Sequence, residues 1–261
     1  MHTNSKPIGL FDSGIGGTSI WKEINALLPA ENTIYLADSK NAPYGQKSKE
    51  EIVYLSCKNT EFLLEQNCKV IVVACNTATT NAIKELRHKY SSVPFIGIEP
   101  AIKPATVHTK TKTIGILATK GTLNSELFHN ALSNYKDVTF IEQIGYGLVQ
   151  LIEEGKLGSR EIDELLSEYL NPMLKANIDF LVLGCSHYPY LIPQIRKILP
   201  KTIEIIDSGQ AVARQTKKVL ETLSIINGDE KPGSNIFYTN SKPDVLINIL
   251  HNQHTVIQKE F

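Results

Sequence analysis

The chain has 261 residues, of which 42% are hydrophobic, so it is long enough for one large domain or two of ordinary size with apolar cores. Lysine plus arginine and aspartate plus glutamate both number 27, and this zero formal net charge favours neither nucleic acid nor an anionic membrane as a partner. The start of the chain has no apolar stretch typical of a signal peptide, and no run reaches the roughly 18 apolar residues of a membrane-spanning helix, so we expect a cytoplasmic protein that does not bind membranes.

Short apolar runs alternate with segments of helical spacing along the chain. We predict eight strands, at residues 8–11, 33–37, 70–74, 95–98, 113–118, 138–141, 180–184 and 203–206. Helices are predicted at 49–66, where Ser48 and Glu51 fit a capping box, and at 161–176, where Pro172 should kink or break the helix. A further helix should begin near Gln210. This alternation predicts parallel sheets flanked by helices, the α/β class.

The two halves of the sequence resemble each other. Residues 8–14 (IGLFDSG) align with residues 114–120 (IGILATK), and an apolar run ends at a cysteine in both halves. We interpret this as an internal duplication that gives two similar α/β domains, related by a pseudo-two-fold axis, with the active site in the cleft between them. The predicted first domain comprises residues 1–98 and 208–261, and the predicted second domain comprises residues 99–207.

Cys75 and Cys185 occupy matching positions, 110 residues apart, directly after predicted buried strands. The carboxyl ends of parallel strands are where open α/β sheets place their ligands. Two thiols that face one cavity could remove a proton from one side of a carbon acid and supply a proton from the other. A helix that starts after each strand would favour the thiolate. For either cysteine alone, a buried and inert thiol is the simpler interpretation.

The other two of the four cysteines, Cys57 and Cys68, are assigned to packing. The sequence has no Cys-x-x-Cys pair and no histidine and cysteine cluster with zinc spacing, so we expect neither a disulfide framework nor a metal.

Polar residues follow several of the predicted strands. Asp12 and Ser13 begin a glycine-rich loop whose glycines allow close approach of its backbone to an anion, and Asp12 could instead bind an ammonium group or steer a proton. Hydroxyl and amide groups after Cys75 suit a carboxylate, although Thr79 or Thr80 could simply cap a helix. Pro43 fits an ordinary turn.

Two further residues are candidate helpers of the thiols. His187, two residues after Cys185, is the histidine nearest a predicted catalytic group, which favours a supporting role. Glu153 has no feature in the sequence that distinguishes it from a solvated helix charge.

Four motifs together resemble the bacterial glutamate racemases of the aspartate/glutamate racemase superfamily. They are residues 9–17 (GLFDSGIGG), 42–45 (APYG), 74–78 (ACNTA) and 184–189 (GCSHYP), in the family's order over nearly the whole chain. The resemblance implies a cofactor-independent isomerase, without a metal, that interconverts L- and D-glutamate for peptidoglycan synthesis. It also implies that the protein is a homodimer, that its ligand is glutamate and that it binds no nucleic acid.

The resemblance also implies roles for individual residues. Cys75 would handle the α-proton of D-glutamate and Cys185 that of L-glutamate, with Asp12, His187 and Glu153 as further catalytic groups. The implied substrate-binding residues are Asp12, Ser13, Pro43, Tyr44, Gly45, Asn76, Thr77, Thr119, Ser186 and His187. Ser186 stands where the family usually has threonine, which keeps the hydroxyl and removes a methyl group.

Three other functions stay open at this point. The same thiols would serve an aspartate racemase, a hydantoin racemase or a maleate isomerase. A hydrolase would use one cysteine as a nucleophile with His187 as its base. A non-catalytic amino-acid sensor would use the same scaffold without either reaction.

Overall fold

The computed structural model describes residues 4–261 and arranges the strands of that range in two sheets. The strands are β1 Ile8–Asp12, β2 Thr33–Ala37, β3 Val70–Val73, β4 Phe95–Gly97, β5 Thr113–Ala118, β6 Thr139–Ile144, β7 Phe180–Gly184, β8 Glu204–Ile206, β9 Asn235–Thr239 and β10 Thr255–Gln258. The helices are α1 Thr18–Leu27, α2 Lys49–Glu65, α3 Asn76–Lys89, α4 Ile102–His108, α5 Lys120–Leu123, α6 Glu126–Leu132, α7 Leu148–Glu153, α8 Arg160–Lys175, α9 Ile192–Ile198, α10 Gly209–Thr222 and α11 Asp244–Ile249.

The two sheets repeat the same strand order. The first sheet runs β10-β9-β2-β1-β3-β4 and the second runs β6-β5-β7-β8, so the second reproduces the order β2-β1-β3-β4 of the first. All of the pairings between these strands are parallel. β3 and β7, the strands that precede Cys75 and Cys185, therefore hold equivalent places. The predicted α/β fold with two parallel sheets is confirmed.

We call the part of the chain that carries the first sheet the first domain, and the part that carries the second sheet the second domain. The chain passes from one to the other between β4 and β5, and it returns between β8 and α10. The finer domain boundaries, at 98/99 and 207/208, stay a prediction.

All eight predicted strands form, with ends that differ by at most a few residues. β9 and β10 were not predicted. Both extend one edge of the first sheet, and β10 has three exposed residues among its four. Such strands lack the continuous apolar run that marks a strand buried on both faces.

The helix predictions hold with two corrections. Ser48 Oγ accepts the backbone N–H of Glu51 at 3.2 Å, but the Glu51 carboxylate binds Lys47 instead of completing the capping box. The expected break at Pro172 was wrong, because α8 continues through it to Lys175. Pro172 lies on the exposed face of α8, where water can satisfy the carbonyl group that its missing N–H leaves free.

Apolar packing fixes how the two sheets face each other. One cluster of buried side chains contains Leu10 and Val72 of the first sheet together with Leu117 and Leu183 of the second. The opposite faces of the sheets are covered by separate clusters. Each sheet is thus buried on both sides, as parallel sheets require, and the shared cluster holds the two domains together.

No helix within residues 4–261 is long and apolar enough to cross a membrane.

Candidate active site

Cys75 and Cys185 line one narrow cavity between the domains. Their side chains are 4% and 5% exposed, and they pack from behind against different apolar clusters. The cavity is lined by Ser13, Pro43, Tyr44, Gly45, Cys75, Asn76, Thr77, Thr119, Val149, Cys185, Ser186 and His187. Of these, only Val149 was not predicted from the sequence. The two remaining predicted residues, Asp12 and Glu153, lie directly behind this lining and contact Ser186 and His187 respectively.

The Cys75 thiol lies at the start of a helix. Cys75 is the N-cap of α3, and its sulfur accepts the backbone N–H of Ala78 at 3.4 Å and donates to Ser13 Oγ at 3.7 Å. Burial, with a contribution from the Asp12 carboxylate, raises the pKa of Cys75 well above its usual value. This sulfur is therefore a neutral thiol at physiological pH, ready to donate a proton.

The expected capping role of Thr79 or Thr80 was wrong, because the thiol of Cys75 takes that position. Thr79 Oγ1 instead donates to the Val73 carbonyl at 3.1 Å and accepts the N–H of Ile98 at 3.0 Å. This hydroxyl fixes the ends of β3 and β4 relative to each other beneath the cavity.

Cys185 has a different environment. A 3-10 turn, Tyr188–Leu191, follows it instead of the expected α-helix. His187 Nδ1 lies 3.8 Å from Cys185 Sγ, and His187 Nε2 lies 2.6 Å from Glu153 Oε1. Burial opposes a charge on this imidazole, but the hydrogen bonds to Cys185 and Glu153 outweigh it and raise the pKa of His187 well above 6.5. The charged imidazole and Glu153 thus form an ion pair beside the sulfur of Cys185.

Glu153 connects the two domains. It ends α7 of the second domain, and its Oε1 accepts the N–H of Ile15 at 2.7 Å while its Oε2 accepts Ser39 Oγ at 2.8 Å. Ile15 and Ser39 belong to loops after β1 and β2 of the first domain. The carboxylate thus orients His187 and ties it to both loops. Ser39 was missed by the sequence analysis, and only its place beside Asp38 in a polar loop after a strand pointed to it.

The glycine-rich loop accommodates side chains of the other domain. A Cβ atom added at Gly14 would lie 1.9 Å from Glu153 Oε1, and one added at Gly16 would lie 2.2 Å from His187 Nδ1. The sequence suggested that these glycines allow approach to an anion. In the structure, the anion beside the loop backbone is the carboxylate of Glu153.

A hydrogen bond between Asp12 and Ser186 also joins the two domains. Asp12 is fully buried, its Oδ2 accepts the N–H of Gly17 at 2.8 Å, and its Oδ1 accepts Ser186 Oγ at 3.2 Å. Burial raises the pKa of Asp12, and the charge of His187 offsets part of that shift. The hydroxyl of Ser186 makes this bond without the methyl group of the family's threonine.

A group of hydroxyls meets across the cleft. Thr77 Oγ1 lies 2.8 Å from Thr119 Oγ1 across the cleft, and Thr119 Oγ1 lies 3.0 Å from Thr122 Oγ1. Thr122 was not predicted. Asn76 is 2% exposed, and neither its amide nitrogen nor its oxygen has a hydrogen-bond partner within the described chain. Buried amides are nearly always bonded, so Asn76 points to a polar ligand in this cavity.

The cavity is too small to hold an amino acid. The space open to the centre of a water molecule is about 10 Å³. Two further hydrogen bonds join the domains. Asn81 donates across the cleft to the Gly121 carbonyl at 3.1 Å, and Ser19 donates to the Ser186 carbonyl at 2.8 Å. Any ligand of amino-acid size must therefore enter by separation of the domains.

Comparison with known proteins supports this arrangement. The model of the Asp/Glu/Hydantoin racemase family matches residues 8–216. The chain belongs to this family. It is 45% identical over 239 residues to the glutamate racemase of Herpetosiphon aurantiacus, covering 91% of this chain and 94% of that protein. It is 42% identical over 251 residues to the glutamate racemase of Pseudomonas putida strain W619, covering 96% and 94%.

Solved structures agree in fold over the whole chain. Glutamate racemase RacE1 of Bacillus anthracis superposes with a TM-score of 0.88 at 30% identity, covering 99% of this chain and 98% of that one. The Escherichia coli glutamate racemase in complex with L-glutamate and the activator UDP-MurNAc-Ala gives a TM-score of 0.85 at 32% identity, covering 97% and 98%. The expected similarity to glutamate racemases is confirmed.

Proposed function

We propose that this chain is a glutamate racemase that interconverts L- and D-glutamate by proton transfer between Cys75 and Cys185, without a cofactor. The observation that carries the proposal is that two thiols, which follow equivalent strands of two domains, line one narrow cavity. The relatives named above are glutamate racemases. A Francisella tularensis glutamate racemase in complex with D-glutamate also superposes, with a TM-score of 0.85 at 28% identity.

In the L-to-D direction, Cys185 as a thiolate removes the α-proton, and the Cys75 thiol donates a proton to the opposite face of the carbanion. The α-carbon changes configuration, and the two sulfurs end with exchanged protonation states. The environments support this assignment, since the His187 imidazolium lies beside Cys185 and the thiol form is favoured at Cys75. The D-to-L direction starts from the opposite pattern.

The remaining residues would bind and polarise the amino acid. Asn76 has an unpartnered amide that can bind the α-carboxylate and stabilise charge that develops there. Thr77 and Thr119 offer hydroxyls to the distal carboxylate at the other end of the cavity. Asp12, which lies directly behind the lining, would accept from the ammonium group. Closure of the domains excludes water and strengthens each of these interactions.

We further propose that the product supplies D-glutamate for peptidoglycan and hence for cell-wall biogenesis and cell shape. The enzyme would act in the cytoplasm as a homodimer whose only ligand in this reaction is glutamate. These points rest on the family resemblance.

The direct test is incubation with L-glutamate in deuterated water. We expect D-glutamate to appear with deuterium at its α-carbon, because the second proton comes from a thiol that has exchanged with solvent. Absence of both D-glutamate and α-deuterium would refute the proposal. Parallel incubation with aspartate separates this function from an aspartate racemase, which would turn over aspartate faster.

The chain of Cys185, His187 and Glu153 is also the arrangement of a cysteine hydrolase. That function predicts a covalent thioester on Cys185 and leaves Cys75 without a role. Mass spectrometry of the enzyme quenched during turnover distinguishes the two, since proton transfer leaves the mass of the protein unchanged.

Glu153→Gln is expected to move the alkaline limb of the pH profile of kcat/KM to lower pH. The hydrogen bond that His187 donates to the Glu153 carboxylate is one of the interactions that raise the pKa of His187, and a neutral amide in its place carries no negative charge. His187 then loses its proton at lower pH, and we expect activity at pH 8 to fall by roughly tenfold or more. Rates measured from pH 6 to 10 give the shift.

Glu154→Gln is the matched control, because Glu154 is adjacent but binds the exposed Lys156 and Gln150. Its pH profile should equal that of the wild type. An unchanged alkaline limb in Glu153→Gln would show that this carboxylate does not sustain the charge of His187.

A further inference from the structure

A buried carboxylate outside the proposed mechanism lies beneath one wall of the cavity. Asp38 follows β2 and is 1% exposed. Its Oδ1 accepts Asn41 Nδ2 at 2.7 Å and Asn240 Nδ2 at 2.5 Å, and its Oδ2 accepts the hydroxyl of Tyr44. Asn59 Nδ2 donates to the same Tyr44 hydroxyl at 3.1 Å. The donors come from the Asp38 loop, from α2 and from the segment after β9.

Asn240 is the most distant of these residues in sequence. It follows β9, outside the residues 8–216 that match the family model. Besides donating to Asp38, its Oδ1 accepts the N–H of Lys40 at 2.9 Å, and its own N–H donates to the Ala37 carbonyl at 3.4 Å. This side chain, 5% exposed, therefore holds both the carboxylate and the backbone of the Asp38 loop.

The loop that is held in this way forms part of the cavity. Pro43, Tyr44 and Gly45 all line it. Gly45 packs tightly against the second domain, since a Cβ added there would lie 2.8 Å from Thr119 Cβ. Burial and the neighbouring Asp38 raise the pKa of Tyr44 well above its usual value, so its hydroxyl stays a donor to Asp38. A small movement of Tyr44 would displace Gly45 from its place beside Thr119.

We propose that Asn240 is a positioning residue for the substrate, because through Asp38 and the Tyr44 hydroxyl it fixes the wall of the cavity formed by residues 43–45. The inference rests on the proposed function. Asn240 itself is not among the residues that line the cavity, so its loss should weaken binding of glutamate more than it slows proton transfer at the thiols.

The test is the steady-state kinetics of Asn240→Ala. We expect KM for L-glutamate to rise about tenfold while kcat stays within about threefold and the pH profile is unchanged. Asn227→Ala is the matched control, because Asn227 is a buried asparagine whose Nδ2 donates to the Ala30 carbonyl at 2.7 Å, away from the cavity. It should lower the thermal midpoint without altering KM.

Two further variants test the path through the network. Tyr44→Phe should raise KM as Asn240→Ala does, and the double variant should add little, since both remove the same support. Asp38→Asn alone should raise KM. The double variant Asp38→Asn with Asn240→Asp again has one carboxylate and one amide, so its KM should lie closer to that of the wild type.

A lower thermal midpoint with an unchanged KM in Asn240→Ala would overturn the inference, as would additive effects of Asn240→Ala and Tyr44→Phe. If Asn240→Ala does not fold, an unchanged KM in Tyr44→Phe overturns it equally. Failure of the wild type to racemise glutamate would instead contradict the proposed function, so the two failures are distinguishable.

Discussion

Replacement of either Cys75 or Cys185 by serine is expected to reduce racemisation by about two to four orders of magnitude, the range that positioned acid and base groups contribute. A serine hydroxyl stays protonated at neutral pH, so it cannot replace either thiol as the base. Both substitutions are nearly isosteric, so we expect the fold to persist. The measurement is polarimetric racemisation in both directions, with circular dichroism as the check on folding.

The two variants should differ in the exchange that remains. Cys75→Ser keeps the base assigned to L-glutamate, and Cys185→Ser keeps the base assigned to D-glutamate, so each should exchange the α-proton of one enantiomer without inversion. Cys57→Ser is the control, because Cys57 is a half-buried residue of α2 away from the cavity. A variant of Cys75 or Cys185 that retained wild-type racemisation would exclude the two-base mechanism.

Gly16→Ala is expected to lower kcat/KM by roughly a hundredfold or more, through loss of domain closure and of the His187 position. Gly16 does not have a positive φ, so its backbone conformation suits alanine. The conflict is steric, since the added Cβ would lie 2.2 Å from His187 Nδ1. Closure must then stop short, and the cavity should open to solvent.

Small-angle scattering and the rate of thiol labelling measure this opening. We expect a larger radius of gyration and faster labelling of Cys75 and Cys185 in Gly16→Ala. In Gly16→Ala with His187→Ala, space for the Cβ is restored, so compactness should return while activity does not. Gly209→Ala is the control, because its added Cβ would lie 3.0 Å from the movable side chain of Glu23. Wild-type activity and compactness in Gly16→Ala would show that this contact does not govern closure.

The two cysteines illustrate how much could be predicted from the sequence. The apolar runs before Cys75 and Cys185 are local signals, and the similarity between the halves identifies β3 and β7 as equivalent strands. Because the carboxyl ends of parallel strands define ligand sites, these patterns were enough to place both thiols at one cavity. Buried strands with continuous apolar runs, such as β1 and β7, were found for the same reason, whereas the exposed β10 was missed.

Glu153 illustrates what local patterns cannot show. In sequence it is one more acidic residue at the end of a helix, and its partners Ile15 and Ser39 are more than a hundred positions away. The role of Gly16 likewise depends on a histidine of the other domain. The link from Asn240 to Asp38 joins the loop after β2 to the segment that follows β9, a strand that was not predicted.

The sequence by itself determined the α/β class, the duplication of the two halves, the family and the positions of the two thiols, because each of these is encoded in short segments or in their repetition. The tertiary structure alone decided that His187 is held by Glu153, that glycines of one domain make room for side chains of the other, and that the domains close on a narrow cavity. These features arise where separate segments meet, and the distance between such segments is set by packing of the whole core rather than by any residue's neighbours in the chain.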